Sequence, residues 1–218
     1  GPMDERRLVR LIRQSFYALA AAHAADIVHR DLKPDNIMVD EQDRVKLIDF
    51  GIASKVGARR LTYTGFSPAL GTPDYIAPEQ VKGKRGDQRT DLYATGVMLY
   101  EMLTGRVPFS GPSPLAVMNE RLLRPPPPAR EAEASVSPEL QEVLYRALER
   151  EPRNRYATAH EFAFDLRHLD HVGVADRVEL TARRRPATGR GRRNLMVAAL
   201  IIIPLLLFLA MLLLAHRF

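Results

Sequence analysis

The chain has no cysteine. That absence excludes disulfides, a thiol nucleophile and thiolate metal sites, and it fits a reducing compartment. Acids are missing from one end: all 26 lie before residue 183, whereas seven of the 32 basic residues come after residue 182. The first 182 residues therefore carry a formal charge of −1, and the net charge of +6 arises from the C-terminal stretch. With no basic excess over the body of the chain, we expect no nucleic-acid partner. Charge is absent altogether from residues 195–215, LMVAALIIIPLLLFLAMLLLA, and no internal repeat is evident.

A helix over those 21 residues rises 1.5 Å per residue and spans roughly 30 Å, the thickness of bilayer hydrocarbon. Pro204 would kink it, which membrane helices tolerate. RRRPATGRGRR at 183–193 precedes it with six arginines and no acid, whereas only Arg217, with His216, follows it. Arginine excess marks the cytoplasmic flank of a span. The expected organisation is a domain over 1–172, a basic juxtamembrane linker over 173–194, a transmembrane helix over 195–215 and a short tail over 216–218. The expected topology is a single-pass membrane protein with its domain in the cytoplasm.

Within the domain, Leu8, Leu11, Ile12, Phe16, Leu19 and His23 recur at steps of three and four between Arg6, Arg7, Arg10 and Arg13. This is the pattern of an amphipathic helix. Short β-like runs follow at 27–28, 37–39 and 45–48. Residues 52–74 lack periodicity and are rich in Gly, Ser, Thr, Pro and Arg, which predicts a long loop, and loops of this length are usually either functional or disordered. Asp91 is placed to cap the helix LYATGVMLYEMLTG, and Gly105 to stop it. SPLAVMNERLL and SPELQEVLYRALER each begin with Ser-Pro, a cap followed by proline at the first helical position. The prolines at 125–128 read as a rigid spacer between them, and ATAHEFAFDLRHL as the last amphipathic helix. The fold class is mainly α with a few short β-strands.

The chemistry is concentrated between residues 27 and 51, IVHRDLKPDNIMVDEQDRVKLIDFG. HRDLKPDN at 29–36 matches the pattern H-R-D-x-x-x-x-N, DFG stands at 49–51 and APE at 77–79. Three such motifs in this order and separation resemble the eukaryotic-like serine/threonine protein kinases over residues 4–172. GTPDYIAPEQ and DLYATGVMLYEMLTGRVPF resemble the membrane-anchored bacterial members. The resemblance implies the large, carboxyl-terminal lobe of a protein kinase, with ATP and Mg²⁺ as cofactors.

Phosphoryl transfer needs mainly positioning and charge neutralisation. The resemblance implies that Asp31 accepts or orients the proton of the substrate hydroxyl, and that Lys33 reaches the transferring phosphoryl group. Asn36 and Asp49 are hard oxygen donors suited to Mg²⁺, and Gly51 gives the turn conformational freedom. His29 is expected to pack beneath the turn rather than act as a base. Glu79 and Arg155 resemble a buried ion pair of the lobe, and Asp91 a brace for the loop backbone. Lys33 and Thr72, in DLKP and GT, imply Ser/Thr acceptors on protein substrates. Arg30 is the cation expected to meet a phosphate on the activation loop, where Thr62, Thr64 and Ser67 are acceptors. Self-association for autophosphorylation is a further implication.

A kinase also needs a glycine-rich loop over ATP and a lysine on a strand, both preceding the catalytic loop. No G-x-G-x-x-G and no V-A-I-K-like strand occurs in the sequence. The expectation is a large lobe without its small lobe, part of a longer kinase and inactive alone. The alternative is a catalytically inactive, membrane-anchored docking or scaffold module. The four chemically competent residues Asp31, Lys33, Asn36 and Asp49 favour the enzyme.

Overall fold

The structure, a computed structural model, describes residues 5–50 and 73–175. The chain divides into two units, Gly1–Val174 and Ala175–Phe218, and the architecture below is that of the first. Helix α1 (Glu5–Ala24) is amphipathic as its spacing requires, with Leu11, Phe16 and Leu19 buried and Tyr17 turned outward. It ends where Asp26 takes a left-handed φ of 57° and Ile27 N–H donates back to the Ala22 carbonyl. Residues 27–28 do not form the expected strand. The backbone donors that follow them, on His29 and Arg30, go to the Asp91 carboxylate instead of a neighbouring strand.

Strands β1 (Ile37–Val39) and β2 (Val45–Leu47) form an antiparallel hairpin in the register Ile37↔Leu47, Met38↔Lys46, Val39↔Val45. A two-stranded hairpin alone is marginal in water, and α1 supports this one. The Gln14 amide donates to the Asp43 carbonyl at 2.7 Å and accepts from Val45 N–H at 3.1 Å. Ile37 and Leu47 pack on the core, while Met38 faces outward.

After the four-residue helix α2 (Pro78–Val81) comes α3 (Gln88–Thr104), the central element, buried without a break from Thr90 to Tyr100. Gly96 lets it approach helix α5 (Pro138–Ala147): a Cβ there would stand 2.8 Å from that of Ala147. The N-cap of α3 is Asp87, which accepts from Arg89 N–H at 2.9 Å, and not Asp91 as the sequence suggested. Asp91 lies one turn inside the helix with its carboxylate committed to the loop beside α1. Gly105 ends α3 in the left-handed region at φ 70°, as expected.

Helices α4 (Pro114–Leu123), α5 and α6 (Ala159–Arg167) begin at Ser113, Ser137 and Thr158, each accepting a backbone N–H from the first turn. Replacing such a cap by alanine costs about 1 kcal/mol. The ring of Phe162 stacks on Tyr156 and meets Phe16 edge-on, joining α6 to α1. Among the described residues no helix is long and apolar enough to cross a membrane. The expected span at 195–215 lies outside them, as do Gly51, Thr62, Thr64, Ser67 and Thr72.

Candidate active site

The segment from His29 to Asn36 joins α1 to the hairpin, and its form follows from which groups take up its backbone atoms. Leu32, 3% exposed, anchors it in the core, while the neighbouring Asp31 and Lys33 side chains are 61% and 35% exposed. Pro34 opens a short 3-10 turn over Pro34–Asn36 and brings Asn36 back beneath Asp31. The Asn36 amide donates to the Asp31 carbonyl at 2.6 Å and to Asp31 Oδ2 at 3.3 Å. Lys33 Nζ lies 3.1 Å from the same carboxylate oxygen. One acid thus stands at the surface with an ammonium and an amide fixed against it.

Asp91 holds the loop from below. Its carboxylate is 1% exposed and accepts from His29 N–H at 2.9 Å, from Arg30 N–H at 2.7 Å and from His23 Nε2 at 2.8 Å. A buried carboxylate is stable only when hydrogen-bonded in this way. Arg30 has a left-handed φ of 65°, a conformation that costs a side-chain-bearing residue about 1–2 kcal/mol and needs outside support. His29 is fully buried; its Nε2 donates to the Ile48 carbonyl at 2.8 Å and its ring lies 4.8 Å from that of Phe50. With one nitrogen bonded to a carbonyl and the other facing Asp31 N–H at 3.4 Å, it is a packing residue. Asp91→Asn removes the charge that these donors share. We expect a site less active by at least tenfold, measured as kcat in the longer kinase proposed below, with α3 still helical by circular dichroism.

Ile48 N–H donates to the Asn36 carbonyl at 3.0 Å, which sets Asp49, the next residue, beyond the hairpin. Asp49 is exposed and adopts φ 53°, the second strained acid-bearing turn of the site. Both amide hydrogens of Asn36 face Asp31, so its Oδ1 remains without a hydrogen bond among the described residues. An unengaged amide oxygen and an exposed carboxylate fit a hard dication such as Mg²⁺, which keeps several waters and needs few protein ligands. Among the described residues no three His, Asp or Glu side chains gather to hold a metal by themselves.

The segment that leads into α2 is held from two sides. Tyr75 donates to Glu101 Oε2 at 2.6 Å; burial, and then that carboxylate, push the phenol up. Arg121, on α4 and 1% exposed, donates to the Asp74 carbonyl at 2.5 Å. Glu79 and Arg155, 76 positions apart, form a two-pronged buried pair at 2.9 and 2.7 Å. Thr90 donates a third bond to Glu79 at 2.8 Å. Burial pushes the Glu79 carboxyl up, but Arg155 and Thr90 outweigh it and hold it below the usual carboxylate range.

The structure therefore brings His29, Arg30, Asp31, Lys33, Asn36 and Asp91 together and pairs Glu79 with Arg155. Sequence reasoning missed His23, Thr90 and Arg121 as polar partners, and Gln80, whose amide donates to the Arg30 carbonyl. His23 carried a signal, a polar residue on the apolar face of α1. The others contact groups far along the chain and left no local pattern.

The family model described as "Protein kinase domain" matches residues 1–165. The chain is 42% identical over 179 residues to serine/threonine-protein kinase pkn3 of Myxococcus xanthus, covering 78% of this chain and 32% of that protein. It is 42% identical over 175 residues to serine/threonine-protein kinase PknB of Mycolicibacterium smegmatis, covering 80% and 28%. To serine/threonine-protein kinase PknL of Mycobacterium tuberculosis it is 40% identical over 187 residues, covering 86% and 45%. The chain thus spans less than half the length of each of these relatives. Among solved structures it is similar to Rad53 1-466 in complex with AMP-PNP, with a TM-score of 0.60 and 28% identity over 75% of this chain and 40% of that one. With its hairpin, its central buried helix and the loop between α1 and β1, this chain belongs to the protein kinase domain family.

Proposed function

We propose that the chain supplies the catalytic loop of a serine/threonine protein kinase that transfers the γ-phosphoryl group of ATP to protein hydroxyls. The observation that carries this is the convergence of Lys33 Nζ and the Asn36 amide on one oxygen of the exposed Asp31. In the reaction the substrate hydroxyl oxygen bonds to the γ-phosphorus as the bond to the β-phosphate oxygen breaks, and ADP leaves. Asp31 orients the hydroxyl and takes its proton. Lys33 places positive charge beside the transferring group, where it neutralises developing negative charge. Asn36 and Asp49 are the residues that would hold Mg²⁺, which when bound supplies charge neutralisation on the phosphates. The glycine-rich loop and strand lysine that clamp ATP do not occur in these 218 residues. We therefore read this chain as the large-lobe part of a longer kinase, inactive in isolation. The relatives' names as serine/threonine kinases and the nucleotide analogue in the Rad53 structure support the reaction class. Transfer of labelled phosphate from ATP to Ser/Thr peptides by the longer protein tests it.

Regulation of the same site follows from Arg30. Its Nε is buried without a hydrogen-bond partner among the described residues. Burial and then the nearby charge of Arg85 push its guanidinium down. A phosphate on Thr62, Thr64 or Ser67 would supply an anion for that guanidinium to pair with. Replacing all three by alanine should lower kcat of the longer kinase by about tenfold or more, and phosphopeptide mapping of the active enzyme should find phosphate there. Full activity in the triple variant contradicts this assignment. Autophosphorylation between two copies is the source of that phosphate in this reading.

The arginines at 183–193 and the uncharged run at 195–215 support a single membrane span with residues 1–182 in the cytoplasm, where ATP and Mg²⁺ reside. Protease added to right-side-out vesicles should leave the kinase lobe intact. Digestion from outside, or recovery of the lobe in the soluble fraction, contradicts this topology.

A further inference from the structure

Four successive peptide groups around Asp31 are each held by a group other than their immediate chain neighbours. The N–H of His29 and the N–H of Arg30 go to the two oxygens of Asp91. The carbonyl of Asp31 accepts from the Asn36 amide. Between them lies the peptide formed by the Arg30 carbonyl and the Asp31 nitrogen. Its N–H has only a long 3.4 Å approach to His29 Nδ1. Its carbonyl accepts from Gln80 Nε2 at 2.8 Å, across 50 positions of sequence.

The other end of the Gln80 amide is also committed. Its Oε1 accepts Ala77 N–H at 3.0 Å, the donor just ahead of α2. These two bonds fix which atom is oxygen and which is nitrogen, since a backbone N–H needs an acceptor and a carbonyl needs a donor. Glutamate at this position would keep the bond to Ala77 but set a carboxylate oxygen against the Arg30 carbonyl. Leucine would keep the approximate volume and lose both bonds. Asparagine is one methylene too short to bridge them.

We propose that Gln80 is a positioning residue for Asp31, clamping the Arg30–Asp31 peptide so that the strained Arg30 backbone holds the acid in one orientation. This rests on Asp31 being the reacting acid, as proposed above. Arg30 holds a left-handed φ of 65°, and a residue so strained persists only where its surroundings over-determine it. Among the described residues, Gln80 supplies the one hydrogen bond to the carbonyl side of that residue, and Asp91 the bond to its N–H side. The same amide makes α2 and the catalytic loop one hydrogen-bonded unit. A displacement of α2 would therefore reach Asp31 through a single side chain.

The test uses Gln80→Glu and Gln80→Leu in the full chain, with amide hydrogen exchange followed residue by residue. In both variants the amides of Arg30 and Asp31 should exchange at least about tenfold faster, with those of α3 and α5 unchanged. In the longer kinase, Gln80→Glu should lower kcat by about ten- to a hundredfold, the scale of a misplacement near 1 Å. The KM values for ATP and peptide should stay within about twofold, because binding is not what Gln80 supports. Unchanged exchange at Arg30 and Asp31 in the Glu variant overturns the proposal. Acceleration spread equally over α3 and α5 also overturns it, since Gln80 would then only stabilise the fold. So does a change confined to KM. The exchange experiment needs no catalysis. A wild-type enzyme without activity would refute the proposed reaction and leave the clamp to be decided by exchange alone.

Discussion

Asp31→Asn in the proposed longer kinase should reduce phosphoryl transfer by about a thousandfold, within the range general-base catalysis contributes. The substitution is nearly isosteric, and its remaining oxygen can still accept from Asn36 and Lys33, which now meet on Asp31 Oδ2 at 3.3 and 3.1 Å. The protonated substrate hydroxyl, however, would face an amide that cannot take its proton. Because the Asp31 side chain is 61% exposed, the fold should not suffer, and the melting temperature should stay within about 2 °C. Steady-state kinetics with labelled ATP, alongside a melting curve, checks both halves. Retained activity would move the proton to another acceptor, and the exposed Asp35 would be the next to test.

The second large effect is on stability. Arg155→Ala should destabilise the lobe by about 3–5 kcal/mol, because it leaves a carboxylate buried without its cation. For a domain of this size that is a loss of roughly 10 °C in melting temperature. Arg155 is 3% exposed, donates to Glu79 twice, to the carbonyls of Glu149, Arg89 and Arg150, and lies over the Tyr93 ring at 4.7 Å. The double variant Glu79→Leu, Arg155→Met should be less damaged than either single change, since no uncompensated charge remains. Glu79 also gives a pH signature. Its folded-state pKa lies below the ordinary 4.5. The pair's stabilisation is therefore fully present above that value and is lost as pH falls through the depressed one. The stability difference between wild type and Glu79→Gln should shrink on acidification below about pH 4. A difference that stays constant would show that the pair is not ionised as described.

The parts of this architecture written in local pattern were legible in the sequence. The two helices that open with Ser113 and Ser137 announce themselves through a cap hydroxyl beside an apolar period, α6 through its apolar period alone, and Gly105 marks the end of α3 for want of a Cβ. Asp31, Lys33 and Asn36 were legible because the turn that gathers them is only a few residues long. Partners far along the chain leave no local pattern: the Glu79–Arg155 pair and the Asp91 brace followed only from the family resemblance, and other long-range contacts were missed. Asp91 has the side chain of a helix cap and the neighbours of one, yet three donors from the α1–β1 region draw its carboxylate inward, and Asp87 caps instead. Residues 27–28 have strand-forming side chains but no second strand to bond among the described residues. Gln80 follows the buried Ala77, Pro78 and Glu79, and nothing in that local run shows that its amide crosses to the catalytic loop.

In the function proposed above, this chain carries the phosphoryl-transfer half of a kinase site and other residues supply the nucleotide clamp. That division is tested most directly by measuring transfer of the γ-phosphate of labelled ATP to a Ser/Thr peptide. One reaction contains this chain alone, and the other contains it joined in frame to a segment bearing a glycine-rich loop and a strand lysine. The chain alone should show background transfer, and the joined protein about 1–100 turnovers per second, the ordinary range of kinases. Kinase-rate transfer by the chain alone, or none by a folded, ATP-binding joined protein, would contradict it.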